Sequence, residues 1–334
     1  MKILPTAADL TDGDRLVDAP WARLFAIAAL VALTVLAAWE GYWRRHGVGP
    51  SLSDIDASWS VARDWVEPES IVLVGTSKIQ SALDPELLGE RLDEEAAIQL
   101  ALINGSPLPI LEHLARDEEF RGTVVVDVSP RIFFDRELRH ERRSRAILEA
   151  YRAYRTSPGD RIDARLVMTV ESSLVLRRAE FSLRRVLETW TKPRPLQIPF
   201  ARVRFDRFRE LDFSRLDLAV RRSTQTAILA AGEPATAQDV AALADRTRRA
   251  AAAIERRGGR VLLALLPVTG SAREAEERLF PRGDYWQELV EKSGLEAVHF
   301  ADYPELGAFE CPDGVHLEAD QARRFTEAFA THLE

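Results

Sequence analysis

The stretch IVLVGTSKIQSALDPELL, residues 71–88, decides how this chain is read. Four apolar residues, three of them β-branched, run into Gly75, and Ser77 follows two positions later. A continuous apolar run closed by glycine is the pattern of a strand covered on both faces, as in a parallel sheet. Asp84 and Pro85 then open a helix, one as N-cap and the other with a φ already suited to the first helical position. The stretch predicts strand, loop and helix, with Ser77 at the strand's carboxyl end. Parallel α/β sheets gather ligands and reacting groups at that end.

Downstream, strand and helix patterns alternate. AAIQLALI reads as a second strand, followed by a turn and helix in NGSPLPILEHLARD with Ser106 and Pro107 as starters. GTVVVDVS is the third strand. TAQDVAALADRTRRAAAAIERRGG is a long amphipathic helix closed by glycine, RVLLALLPV a fourth strand and LEAVHFA a weaker fifth. In the last segment Ala322, Phe325, Phe329 and Leu333 fall on one helical face. Strands separated by helices imply a doubly wound α/β fold on a five-stranded parallel sheet with right-handed crossovers.

Two regions depart from that rhythm. Near the N-terminus LFAIAALVALTVLAAW runs sixteen residues without a charge, and Trp21, Trp39, Tyr42 and Trp43 flank it. Residues 20–43 are long enough to span a bilayer, and interfacial aromatics belong at such flanks. The preceding tail, residues 1–19, carries Asp9, Asp12, Asp14 and Asp18, unlike the short basic start of a cleaved signal peptide. An uncleaved single-pass anchor is expected, followed by a linker and short helix over 44–69. The positive-inside count leans toward a cytoplasmic N-terminus, which would leave residues 70–334 outside the cytoplasmic membrane, in a periplasmic setting. The second region is 131–225, where no strong strand is visible. It holds 22 arginines and one lysine against 13 carboxylates, a net of +10 in a chain whose total is −8. This reads as a basic, mostly helical insertion. Its arginines either solvate helix faces or form a surface for anionic lipid headgroups or an acidic glycan. Phe133, Phe134, Trp190 and Phe200 could supply an apolar wall beside the strand ends.

The acidic total argues against nucleic-acid binding, and a single cysteine, Cys311, excludes an internal disulfide. Three expected strand-end loops carry chemistry: Gly75, Thr76 and Ser77; Asn104, Gly105 and Ser106; and ECPDGVHLEAD with Asp313 and His316. A serine hydroxyl near neutral pH needs a base within hydrogen-bond reach and a group to orient that base. His316 beside Asp313 is the candidate pair. The N–H groups of Ser77 and Gly105 could face a developing oxyanion. His113 and His299 read as packed or surface histidines, and Cys311 as a small buried apolar group. GTSK lacks the spacing of a phosphate cradle, and no cofactor is expected.

Together these residues resemble the SGNH (GDSL-type) hydrolase superfamily, in the membrane-anchored branch tied to acyl modification of cell-envelope polysaccharides. GTS with Ser77 is similar to its nucleophile block, LINGSPL with Gly105 to its second block, and Asp313 with His316 to its terminal D-x-x-H. The resemblance spans residues 70–334 outside the insertion. It implies a flavodoxin-like sheet, a Ser77–His316–Asp313 triad and esterase or O-acyltransferase activity on an acyl, typically acetyl, ester. Its partners would be the envelope polysaccharide, membrane lipid and, for a transferase, a polytopic membrane acyltransferase. The family's third block carries an oxyanion asparagine after the third strand. Here VDVSPRIFF has none, leaving Asn104 or Arg131 as candidate replacements. That departure is also what a non-catalytic glycan-binding or scaffolding subunit of the same fold would show.

Overall fold

The computed structural model describes residues 21–53, 55–181, 185, 188 and 199–334. The expected tail over 1–19 and Trp190 lie outside the described residues. The chain divides into a unit ending at Gly49 and a body from Pro50 to Glu334.

In the first unit Trp21–Arg45 form one helix, α1. It covers the expected apolar span, and most of its apolar side chains are exposed, Phe25, Leu30 and Leu33 by 64–69%. At about 1.5 Å per residue, its 25 residues reach farther than the roughly 30 Å of a bilayer's hydrocarbon core. The helix is thus long and apolar enough to cross a membrane. Glu40 and Arg44 pair at 2.6 Å near its C-terminal end.

The body opens with α2 (Ile55–Asp64) and then builds a five-stranded sheet. Its strands are β1 (Ile71–Val74), β2 (Ile98–Gln99), β3 (Thr123–Asp127), β6 (Arg260–Leu265) and β7 (Glu296–His299). All pairings are parallel, in the order β2-β1-β3-β6-β7. That is the 2-1-3-4-5 order of flavodoxin-type doubly wound sheets. Valines of β1 and β3 lie in register, Val72 with Val124 and Val74 with Val126, and Val125 faces Leu262 of β6. All of these are buried, and each such side chain contributes about 1.5–3 kcal/mol.

The helices sort into two groups. α3 (Ser77–Ala82), α4 (Pro85–Leu92) and the last helix, α12 (Ala319–Ala330), pack together. α5 (Leu108–Ala115), α9 (Ala237–Glu255) and α11 (Glu288–Ser293) form the other group. Right-handed crossovers in this strand order put those groups on opposite faces. The strand order therefore reverses around β1, and the crevice beyond β1 and β3 is the position where such sheets hold ligands. Local expectations are met at Asp84, whose carboxylate accepts from Glu86 N–H at the start of α4. They are met also along the buried face of Ala322, Phe325, Phe329 and Leu333, and a capping box of Thr236 and Asp239 opens α9. Ser106 does not cap α5: Pro107 takes the N-cap position without a side-chain hydrogen bond, and Ser106 N–H donates to the His140 carbonyl at 3.1 Å.

The insertion contains more than helices. α6 (Arg139–Thr156) and α7 (Pro158–Ser173) pack on α2. An antiparallel hairpin follows, β4 (Ala201–Val203) and β5 (Arg209–Leu211), a short pair of strands in a region expected to be mostly helical. Three-residue strands are too short to register as periodicity. What holds the hairpin is tertiary. In its turn Arg207 takes a left-handed φ of 67°, a backbone state costing roughly 1–3 kcal/mol for such a residue. Its buried guanidinium donates to the carbonyls of Gln99 (2.7 Å) and Ala101 (3.1 Å) at the end of β2. Burial pulls its pKa down to about 9, which leaves it charged at neutral pH. Arg204 adds a two-pronged pair to Asp84, at 3.0 and 2.8 Å. α8 (Leu218–Leu229) then runs through the expected end of the insertion at 225 and packs against α10 (Gly270–Leu279).

Candidate active site

At the end of β1 the chain comes very close to β3. A Cβ on Gly75 would lie 2.4 Å from Asp127 Cβ and 2.8 Å from Ile79 Cγ2, so only glycine fits. Thr76 is next, donating from its N–H (3.0 Å) and Oγ1 (2.7 Å) to the buried Asp127 carboxylate. Its Oγ1 also caps α3 by accepting from Lys78 N–H. Ser77 is thus the first residue of α3, held by a strand end, a cap and a buried anchor. Ser129 donates to Asp127 at 3.1 Å and sits 3.1 Å from Thr76 Oγ1. This stretch after β3, where the resemblance leads one to seek an asparagine, braces the nucleophile loop from beneath. Burial pushes the Asp127 carboxyl up, opposed by Lys78 and its hydrogen bonds.

Ser77 Oγ lies 2.9 Å from His316 Nε2. The other ring nitrogen, Nδ1, is 3.0 Å from Asp313 Oδ2. The Asp313–His316 segment is a tight loop leading into α12, in which Asp313 Oδ1 accepts from the N–H groups of Val315 (3.0 Å) and His316 (2.8 Å). Asp313 is 0% exposed and His316 6%, while Ser77 remains partly open to solvent. Burial alone would raise the Asp313 pKa; hydrogen bonds from His316 and the two backbone N–H groups outweigh it and hold it at about 2. Burial lowers the His316 pKa, only partly offset by Asp313 and reinforced by Arg209 and Arg221. A neutral imidazole donating from Nδ1 to a fixed carboxylate leaves Nε2 free to take a proton from Ser77. The three residues expected from the sequence are brought together in the arrangement that a nucleophile, a base and its orienter would take.

The expected oxyanion residues fare differently. Ser77 N–H, at the first position of α3, has no acceptor among the described residues and is open to a ligand. The Gly105 N–H donates to the Leu102 carbonyl at 3.0 Å, so it is already engaged; this glycine serves a tight turn instead. A Cβ there would lie 2.6 Å from Leu102 Cβ. Asn104 takes the left-handed conformation with its side chain exposed, and its carbonyl accepts from His140 Nδ1 at 2.8 Å. Arg131 Nε donates to the Ala231 carbonyl at 3.2 Å. Neither of these two side chains is hydrogen-bonded to Ser77 among the described residues. The loop that carries Asn104 is fixed by α6, whose His140, Arg143 and Ser144 all bond it.

Two arginines at the site escaped sequence reasoning. Arg221, in the first turn of α8, donates from Nε to Asp313 Oδ2 at 3.2 Å. Arg209, the first residue of β5, stands near Asp313 and Arg221 and is lowered in pKa, chiefly by burial. Both guanidinium groups lie over the Phe200 ring, at 4.8 and 5.9 Å from its centroid. The arginine excess of the insertion was the available signal, but it singles out no position. Of the expected aromatic wall, Phe200 is beside the site, whereas Phe133 and Phe134 are buried, Phe134 against Phe280 and Tyr285. His113 and His299 are both lowered to about 4, chiefly by burial, and lie elsewhere, against Tyr151 and Trp286 respectively. Cys311 is buried with its thiol pushed up to about 12 by desolvation, an inert packing group.

Fold and site together define a parallel α/β protein with a serine–histidine–aspartate relay at its strand ends. No family model matches the chain, and no curated protein matches it.

Proposed function

We propose that the chain is a single-pass membrane serine esterase or O-acyltransferase of the SGNH kind. It acts on an acyl ester, acetyl in the simplest case, of a cell-envelope glycan through an acyl-serine intermediate. The observation that carries this reading is the relay itself: 2.9 Å from Ser77 Oγ to His316 Nε2 and 3.0 Å from Nδ1 to Asp313. Ser77 Oγ attacks the acyl carbon while Nε2 accepts the hydroxyl proton. The resulting oxyanion faces Ser77 N–H. Collapse breaks the ester C–O bond, and His316 returns the proton to the departing alcohol. Water or a second sugar hydroxyl then reverses the sequence. α1 anchors the body on the outer side of the cytoplasmic membrane. One helix cannot carry an activated acyl group across a bilayer, so acyl transfer calls for a polytopic membrane partner that supplies it.

A second reading has one observation in its favour. With the Gly105 amide engaged and no asparagine after β3, Ser77 N–H is the one expected backbone donor left without an acceptor among the described residues. Each missing donor costs about 2.7–4 kcal/mol of transition-state stabilisation. A glycan-binding subunit with a silent triad would tolerate that loss. Labelling of the detergent-solubilised chain by a fluorophosphonate decides between the two. The enzyme reading expects a covalent adduct that Ser77→Ala abolishes; absence of labelling in the wild type leaves the binding subunit.

A further inference from the structure

Arg209 is anomalous among the arginines around the site. Arg221 has Asp313, and Arg204 has Asp84, Asp206 and Glu86. Arg209 has no side-chain hydrogen bond and no carboxylate within ion-pair distance among the described residues, although it is partly buried. Its position is nevertheless closely determined. Two residues earlier Arg207 is fastened to the end of β2, the intervening Phe208 is buried, and β5 packs on α3, the helix that begins with Ser77. Arg209 and Arg221 together carry two positive charges against the single charge of Asp313, because His316 is neutral. A partly desolvated cation without a counter-ion is unfavourable unless a ligand supplies one.

The side of the site matters. His316 Nε2 hands its proton to the leaving oxygen, so the alcohol half of an ester must sit on the histidine side of Ser77. The acyl oxygen turns to Ser77 N–H on the other. Arg209 shares the Phe200 ring with Arg221, which bonds Asp313 at 3.2 Å, and this sets it on the histidine side of Ser77 with the alcohol half. Phe200 lies alongside and holds both guanidinium groups over its ring. A guanidinium fork matches a carboxylate or phosphate through paired hydrogen bonds.

We propose that Arg209, flanked by Phe200 and Arg221, is a specificity subsite for an anionic group on the alcohol half of the substrate. The glycan acted on is then an acidic one, bearing carboxylate or phosphate. This rests on reading Ser77 as the nucleophile, which is what places the alcohol half.

The test uses binding, with Ser77→Ala in the full-length chain held in detergent. Calorimetric titrations compare oligogalacturonate, its neutral methyl ester and a phosphorylated oligomannoside. The expected result is an affinity for at least one anionic glycan about tenfold or more above that for the neutral one. The preference should be lost when Arg209→Gln is added and partly restored by Arg209→Lys, which keeps the charge. The anionic ligand that binds more tightly identifies the group recognised. Equal affinities, binding of none of the three, or a preference that survives Arg209→Gln in a folded protein overturns the subsite. Fluorophosphonate labelling of the wild type reports separately on Ser77. No label with an intact Arg209-dependent preference removes the enzyme reading alone, and a label without preference removes the subsite alone.

Discussion

Asp313→Asn is the sharpest perturbation the relay offers, because Asp313 accepts four hydrogen bonds and asparagine can accept only on one oxygen. Oδ1 serves Val315 and His316 N–H; Oδ2 serves His316 Nδ1 at 3.0 Å and Arg221 Nε at 3.2 Å. In the variant the amide oxygen stays with the two backbone donors, and its NH2 faces two further donors. The conflict is relieved at the histidine when Nδ1 gives up its proton and Nε2 takes it. Nε2–H then points at Ser77 and cannot accept from it. Loss of the correct tautomer in such relays lowers kcat by about 10⁴, or roughly 5.5 kcal/mol. Arg221 also loses a charge-assisted hydrogen bond, worth about 1.5–3 kcal/mol to stability. The assay is the rate of fluorophosphonate labelling and of p-nitrophenyl acetate cleavage, with folding followed by near-UV circular dichroism. A folded Asp313→Asn protein within about tenfold of wild type would refute the view that Asp313 sets the His316 tautomer.

Four further outcomes follow from the structure. Labelling by fluorophosphonate should rise with pH through a midpoint below the usual 6.5 of histidine, because the reactive imidazole is unprotonated and its pKa is lowered, first by burial; a midpoint above 6.5 contradicts this. Stability should fall as pH drops below 6.5, since the unfolded histidine then binds a proton before the folded one does. Asp313, moved from 3.8 to about 2, adds about 2 kcal/mol that is present above pH 3.8 and lost as pH falls through the folded value. Gly75→Ala should destabilise by about 1–3 kcal/mol, because its Cβ would lie 2.4 Å from Asp127 Cβ; an unchanged urea midpoint would show that β1 and β3 can part at no cost. Carbonate extraction should leave the full chain in the membrane pellet through α1, and quantitative release to the supernatant would mean that the helix does not span.

Much of the frame was legible because it rests on local rules. The apolar run at 71–74 ending in Gly75 marks a buried strand, and Asp84–Pro85 marks a helix start. The charge-free run within Trp21–Arg45 marks a helix suited to lipid. Ser77, Asp313 and His316 could be named in advance because each lies next to the end of a strong strand or the start of a strong helix, and parallel topology brings those ends together. The oxyanion residues could not be chosen that way. Whether the Gly105 N–H is free depends on Leu102 and on α6, which braces the loop after β2 from an insertion distant in sequence. The hairpin at 201–211 left no periodic trace, because three-residue strands stabilised by Arg204 and Arg207 reaching Asp84, Gln99 and Ala101 depend on contacts more than a hundred residues apart. The same long-range contacts set Arg209 and Arg221 beside His316. Periodicity and capping act over a few residues, so the sequence by itself determined the strands of the main sheet, the longer helices and the candidates for the strand-end triad. Only the folded chain decided which amides are engaged and which cations meet the substrate, since those depend on pairings that close long loops.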